Sequence, residues 1–179
     1  MKKINLSIFA ASLVAISSLF TSCKDDTETT PVAKDSVVTY TAVILNNEFA
    51  TEGKCFYSVS DNTIFPSIAA AKTASSSVDF IHLLRATTKG DRIICAPSDS
   101  NTTVINQTGD DKISTWTVRN ATKFGKITSS VTWSSVDSTI ILNNTSALTA
   151  TAAMNLKKDD VYGFVTASGV KGIFKVINI

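Results

Sequence analysis

Val161-Tyr162-Gly163-Phe164-Val165-Thr166, Ala167-Ser168-Gly169 and Lys171-Gly172-Ile173-Phe174-Lys175-Val176-Ile177 lie at the end of the chain. Two runs of β-branched and aromatic residues flank a glycine-bearing turn, which is the pattern of a β-hairpin. The same signature recurs upstream. Val37–Leu45 (VVTYTAVIL) reads as a strand that stops at Asn46-Asn47. Gly53 opens a second strand over residues 54–60, with Cys55, Tyr57 and Val59 alternating against Phe56 and Ser58 until Asp61-Asn62 breaks it. Residues 78–84 (VDFIHLL) are apolar enough for a central strand. Lys89-Gly90 then turns into residues 93–96, where Pro97 ends the ladder by removing a donor.

Helical spacing is weaker. Ile64, Phe65, Ile68, Ala69 and Lys72 suggest a short amphipathic helix ending near Thr73, with Pro66 in its first turn, where a missing N–H is no loss. Ile113, Trp116, Asn120 and Phe124 follow the capping candidates Asp110 and Asp111 at near-helical intervals. Trp133, Val136, Ile140 and Ile141 suggest a third helix within residues 130–141, although that stretch is also rich in β-formers. Residues 98–109 read as a long exposed loop. The expectation is an α+β single domain with a mostly antiparallel or mixed sheet, two or three short helices and a C-terminal β-hairpin.

The N-terminus carries a different message. Lys2 and Lys3 precede a mostly apolar stretch interrupted by serines, then Thr21-Ser22-Cys23. This is the tripartite pattern of a secretory leader, and it is less uniformly apolar than a spanning helix requires. Phe20-Thr21-Ser22-Cys23 resembles a bacterial lipoprotein signal, although Phe20 departs from the usual leucine. The resemblance implies that Cys23 is the lipid attachment site and first residue of the mature protein. Two or three acyl chains, at about 0.8 kcal/mol per buried methylene, form a stable anchor. Lys24, Asp25 and Asp26 resemble the surface-export signal of Bacteroidota-type lipoproteins. The organisation expected is a leader over 1–22, a lipidated flexible tether over 23–35 and the domain over 36–179.

Parts of the body are similar to small surface-exposed lipoproteins of the same bacteria: Val78-Asp79-Phe80-Ile81, Cys95-Ala96-Pro97, Trp116 with residues 120–124, Gly163-Phe164-Val165-Thr166 and residues 172–176. This resemblance implies an outer-membrane address facing the cell exterior and carries no activity with it.

Composition narrows the partners. The formal net charge of +2 includes Lys2 and Lys3, so the processed chain is near neutral and has no basic stripe for nucleic acid. Ser and Thr form about a quarter of the residues, a hydroxyl-rich surface over a 44% hydrophobic chain. With Cys23 lipidated, Cys55 and Cys95 remain. In an oxidising compartment they read either as a disulfide or as two separate buried thiols. Spacing alone does not choose between them.

No catalytic set emerges. His82 is the sole histidine, and strand alternation puts it on the opposite face from Asp79, which favours a structural role over a catalytic base. One histidine and two cysteines offer no zinc spacing, and no phosphate-cradling loop implies a cofactor. Asp99, Asn101, Asp110 and Asp111 are hard oxygen ligands without calcium-loop spacing. Among Asp79, Asp91, Asp110, Asp111, Asp159 and Asp160, only Asp79 sits in an apolar strand, and a glycosidase needs two acids across a cleft. Trp116 and Trp133 serve either as core or as sugar-stacking platforms. Asp35-Ser36-Val37 and Asp137-Ser138-Thr139 resemble Bacteroidota O-glycosylation sites, making Ser36 and Ser138 candidates.

The expected function is a non-enzymatic surface module that binds a glycan or an envelope protein and meets the membrane through its lipid. A small glycan-active hydrolase and a structural envelope component are the alternatives. Oligomeric state is not encoded in these features.

Overall fold

The computed structural model describes residues 4–11, 37–47, 54–85, 90–104 and 111–178. Among these residues, ten strands form two antiparallel sheets. One sheet comprises β1 (Ile4–Ala11), β2 (Val37–Leu45), β7 (Lys123–Ile127), β9 (Val161–Val165) and β10 (Lys171–Val176), in the order β2-β1-β10-β9-β7. The other comprises β3 (Phe56–Ser58), β4 (Thr63–Phe65), β5 (Phe80–Arg85), β6 (Asp91–Cys95) and β8 (Ala152–Ala153), in the order β4-β3-β5-β6-β8. Helix α1 (Ile68–Thr73) and helix α2 (Ser138–Thr145) complete an α+β, mostly β fold. The terminal hairpin is β9–β10, in register from Lys171↔Val165 to Lys175↔Val161. Gly169 in its turn has φ of 88°, a conformation that a side chain would strain.

Apolar residues organise the layers. Between the sheets, Val43, Leu45, Tyr57, Phe80, Ile94, Phe124, Phe164 and Phe174 form one buried cluster. The outer face of the β5-containing sheet carries a second cluster, with Phe56, Ile81, Leu83, Ile93 and Cys95 covered by Ala71 of α1 and by Ile113 and Trp116. The outer face of the β10-containing sheet carries a third, with Ile127 and Ile173 covered by Ile141 of α2. Each sheet is therefore roofed on both sides. That explains why residues 80–83 are buried on both faces of β5, without the alternation of a half-exposed strand.

Several local expectations change. Residues 116–124 are not helical: Ile113–Thr115 is a single 3-10 turn, and the chain then runs extended into β7. Trp116 packs in the outer cluster and Phe124 in the central one, on opposite sides of a sheet. One helical stripe could not serve both. Pro66 precedes α1 instead of entering it, because Ser67 is the N-cap and accepts from the Ala70 N–H at 3.2 Å. The third expected helix divides into a 3-10 turn, Trp133–Ser135, and α2, whose N-cap Asp137 accepts from the Ile140 N–H at 2.9 Å. The loop after Pro97 is tied down at its start: Ser100–Val104 is a 3-10 segment, and Asp99 and Thr102 are buried.

Gly163 on β9 sets how closely α2 approaches. A Cβ there would lie 2.6 Å from the backbone oxygen of Asn144 and 3.3 Å from Thr145 Cγ2. Gly163→Ala is expected to destabilise the domain by about 1–3 kcal/mol, as overpacking does. Thermal denaturation followed by circular dichroism checks this, and an unchanged midpoint would contradict the packing.

Candidate functional site

Two clefts lie at strand ends and turns. The larger, about 610 Å³, is lined by Trp133, Val131, Lys126, Asp159, Asp160 and Lys175, together with Thr128, Ser129 and Ser130. Each element has a reason to be there. β7 ends at Ile127, whose neighbour across the ladder is Val161, itself paired with Lys175. The turn before β9 is stitched to β10: the Asp159 N–H donates to the Val176 carbonyl at 2.7 Å, and the Val176 N–H to the Asp160 carbonyl at 2.9 Å. Asp159 has φ of 71°, and the two adjacent acids meet different lysines. Asp160 meets Lys126 Nζ at 2.7 Å and Asp159 meets Lys175 Nζ at 2.6 Å.

The hydrogen bond from Lys175 holds the Asp159 carboxyl below the usual carboxylate range. A carboxyl held ionised suits hydrogen-bond acceptance and not proton donation. The half-buried Trp133 rests on the outer cluster of Ile127, Ile141 and Ile173. An aromatic side chain that shares a cleft with two lysine–aspartate pairs and several hydroxyls offers stacking and paired polar contacts without net charge.

The smaller cleft, about 320 Å³, is lined by Ser60, Ser76, Ser77, Asp79, Asn120 and Ser168 with Ala167. Asp79 is buried and its pKa is pushed up to about 6, first by desolvation and then by the nearby Asp61 charge. Its Oδ2 accepts the Val59 N–H at 2.9 Å, which opposes that rise. Asn120 Nδ2 donates to the Ser76 and Val78 carbonyls at 2.8 and 2.9 Å. Asp79 is the one carboxylate among the lining residues described.

His82 and Asp79 have separate partners. His82 Nδ1 lies 2.8 Å from the Asn46 carbonyl oxygen, so Nδ1 carries the proton. Nε2 is buried with no hydrogen-bond partner among the described residues. Burial lowers the imidazole pKa to about 4, the Asn46 hydrogen bond opposing this and Arg92 adding to it.

Cys55 and Cys95 are buried thiols in one cluster, and the bridge considered between them is not formed. β5 runs between their segments: the His82 N–H donates to the Cys55 carbonyl, and Cys95 pairs with Ile81. Two strand spacings, roughly 9.5 Å, exceed the ~7 Å limit for a disulfide's Cα atoms.

Asp99 accepts from the Asn101 N–H at 2.8 Å and Asn101 Nδ2 at 2.7 Å, and also from the Thr151 hydroxyl. Its oxygens tie a loop to the strand region, and no described group of three His, Cys, Asp or Glu gathers around a metal-sized space. Trp116 is core, its ring centroid 5.5 Å from that of Phe56. Ser138 is the first residue of α2. Cys23, Lys24, Asp25, Asp26, Ser36 and Asp110 lie outside the described residues. No helix among the described residues is long and apolar enough to cross a membrane.

Lys126 and Lys175 were not singled out by sequence. Their signal is a cation flanked by apolar residues within a strand, Phe124-Gly125-Lys126-Ile127 and Phe174-Lys175-Val176. No family model, curated protein or solved structure matches the chain.

Proposed function

We propose that this chain is a lipid-anchored module on the outer face of a bacterial outer membrane, and that its Trp133 cleft binds a glycan without transforming it. The observation that carries the binding role is a cleft that the half-buried indole lines together with the Lys126–Asp160 and Lys175–Asp159 pairs. The address rests on Cys23 and on Lys24-Asp25-Asp26 behind it. A hydrolase draws little support from the clefts. In one, the Asp159 carboxyl is held ionised by lysine, and in the other Asp79 stands without a second acid in the lining.

A glycan array probed with the full chain carrying Cys23→Ser tests the reading. Binding is expected, and Trp133→Ala is expected to weaken it about tenfold, the loss that accompanies ~1.4 kcal/mol of contact. Silence of the unsubstituted cleft across the array would remove the glycan role. Release of reducing ends from any bound glycan would favour the hydrolase.

A further inference from the structure

Strand β1 is hydrogen-bonded on both sides, to β2 from Ile4↔Leu45 to Ala11↔Val37 and to β10 from Leu6↔Val176 to Ala11↔Lys171. The same residues fall inside the leader that the Cys23 signal would remove. A domain cannot both lose an interior strand and keep a continuous sheet. We infer that processing opens a strand-shaped slot between β2 and β10, and that the mature domain fills it with an extended peptide donated by another protein. Before processing, β1 holds the place. The inference rests on the lipoprotein reading of Cys23.

The slot persists because its two walls are held independently of β1. β10 keeps its ladder with β9. β2 is pinned to the opposite sheet: Val43 and Leu45 are buried in the central cluster, the Asn46 N–H donates to the Lys54 carbonyl at 3.1 Å, and the Asn46 carbonyl meets His82 at 2.8 Å. Closing the gap would drag β2 across one strand spacing, about 4.8 Å, and withdraw those side chains from the core. Leaving it open would present two facing rows of unpaired N–H and C=O groups, a template for an added strand.

The walls also specify the occupant. One position of the slot lies between Val43 and Val176, and the next on the same face lies between Tyr40 and Phe174. Val176 and Phe174 are fully buried, so an incoming strand must place apolar residues at both positions, two apart. The chain's own tether does not qualify. Lys24, Asp25, Asp26 and Glu28 are charged, and Pro31 lacks the donor that an interior strand needs. A second copy brings the same tether, and its described strands are engaged in its own sheets. A foreign donor with alternating apolar residues remains.

The test starts from the full chain with Cys23→Ser, made without export and carrying a protease site inserted between residues 12 and 22. The protein is cut, unfolded, freed of the leader fragment and refolded with or without a lysine-flanked synthetic peptide of the sequence Ile4–Ala11. Cooperative melting is expected only with peptide, with a midpoint rising about 5–10 °C at roughly 100 times its Kd over that at Kd. A peptide carrying Leu6→Asp and Ile8→Asp should have no effect. Equal melting without peptide, equal rescue by the aspartate peptide, or full stability reached by self-association would each overturn the donated strand. Intact mass of the native protein separates the two layers of the claim. Acylated protein beginning at Cys23 keeps the lipoprotein reading whatever the peptide does, whereas a retained leader overturns that reading and the need for a donor with it.

Discussion

Phe80→Ala is expected to lower the thermal midpoint by about 10–15 °C, the largest effect of any single side chain in the core. Phe80 has no exposed surface, and its ring meets those of Tyr57, Phe124, Phe164 and Phe174 at centroid distances of 5.9, 5.3, 5.0 and 6.0 Å. These four rings come from β3, β7, β9 and β10, so a single side chain of β5 joins both sheets. Truncation of a buried phenylalanine costs about 3–5 kcal/mol through lost transfer energy and the cavity left behind. For a chain of this size each kcal/mol moves the midpoint by roughly 2–4 °C. Val38→Ala, at a 39% exposed position on β2, is the control and should change stability by less than about 0.5 kcal/mol. A Phe80→Ala midpoint within about 3 °C of the parent would mean that the sheets are not joined through this ring.

The second large effect is one that the unsubstituted protein conceals. His82 has a folded pKa of about 4, below the 6.5 of the unfolded chain, because burial opposes its charge. Its contribution to stability is present above pH 6.5 and is lost as pH falls through 4, because the unfolded state takes up the proton first. Asp79 behaves in the opposite sense. Its folded pKa of about 6 lies above the unfolded 3.8, so its contribution is full below 3.8 and is lost as pH rises through 6. Each displacement of two to three pKa units corresponds to about 3 kcal/mol. Between pH 6.5 and 4 the two therefore offset, and the parent's stability should be nearly flat. Asp79→Asn should uncover the His82 fall and lose about 3 kcal/mol over that interval. His82→Gln should uncover the Asp79 rise and gain a similar amount. Urea denaturation across the interval reads both slopes. Parallel curves for the parent and both variants would refute the opposition.

Much of the fold was legible because strands announce themselves locally. Val37–Leu45 and the hairpin β9–β10 stand where β-branched runs and the glycine turn put them. Sheet membership is not local. Nothing in the alternation of residues 54–60 or 161–165 says that one strand joins β5 and the other β10. The spacing of Ile113, Trp116, Asn120 and Phe124 mimicked a helix for a physical reason. The chain there crosses from the outer cluster around Trp116 to the central one around Phe124, and each apolar residue answers to a different layer. The Trp133 cleft was half visible. Trp133 and the acids Asp159 and Asp160 drew notice singly, but Lys126 and Lys175 acquire their meaning from the pairing of β7, β9 and β10. Asp79 and His82 make separate hydrogen bonds, to the Val59 N–H and to the Asn46 carbonyl, and Asp79 precedes β5, so strand alternation does not relate the two.

A sandwich lidded above and below has little blank surface left on its broad sides. Any novelty in what the molecule grips must be written along its rims, where turns and strand tips can change without disturbing a buried layer. Two hollows among the described residues, one beside Trp133 and one at Asp79, are lined by turns and strand ends of that kind. Relatives built on this plan should therefore differ in their grip while keeping the same bones.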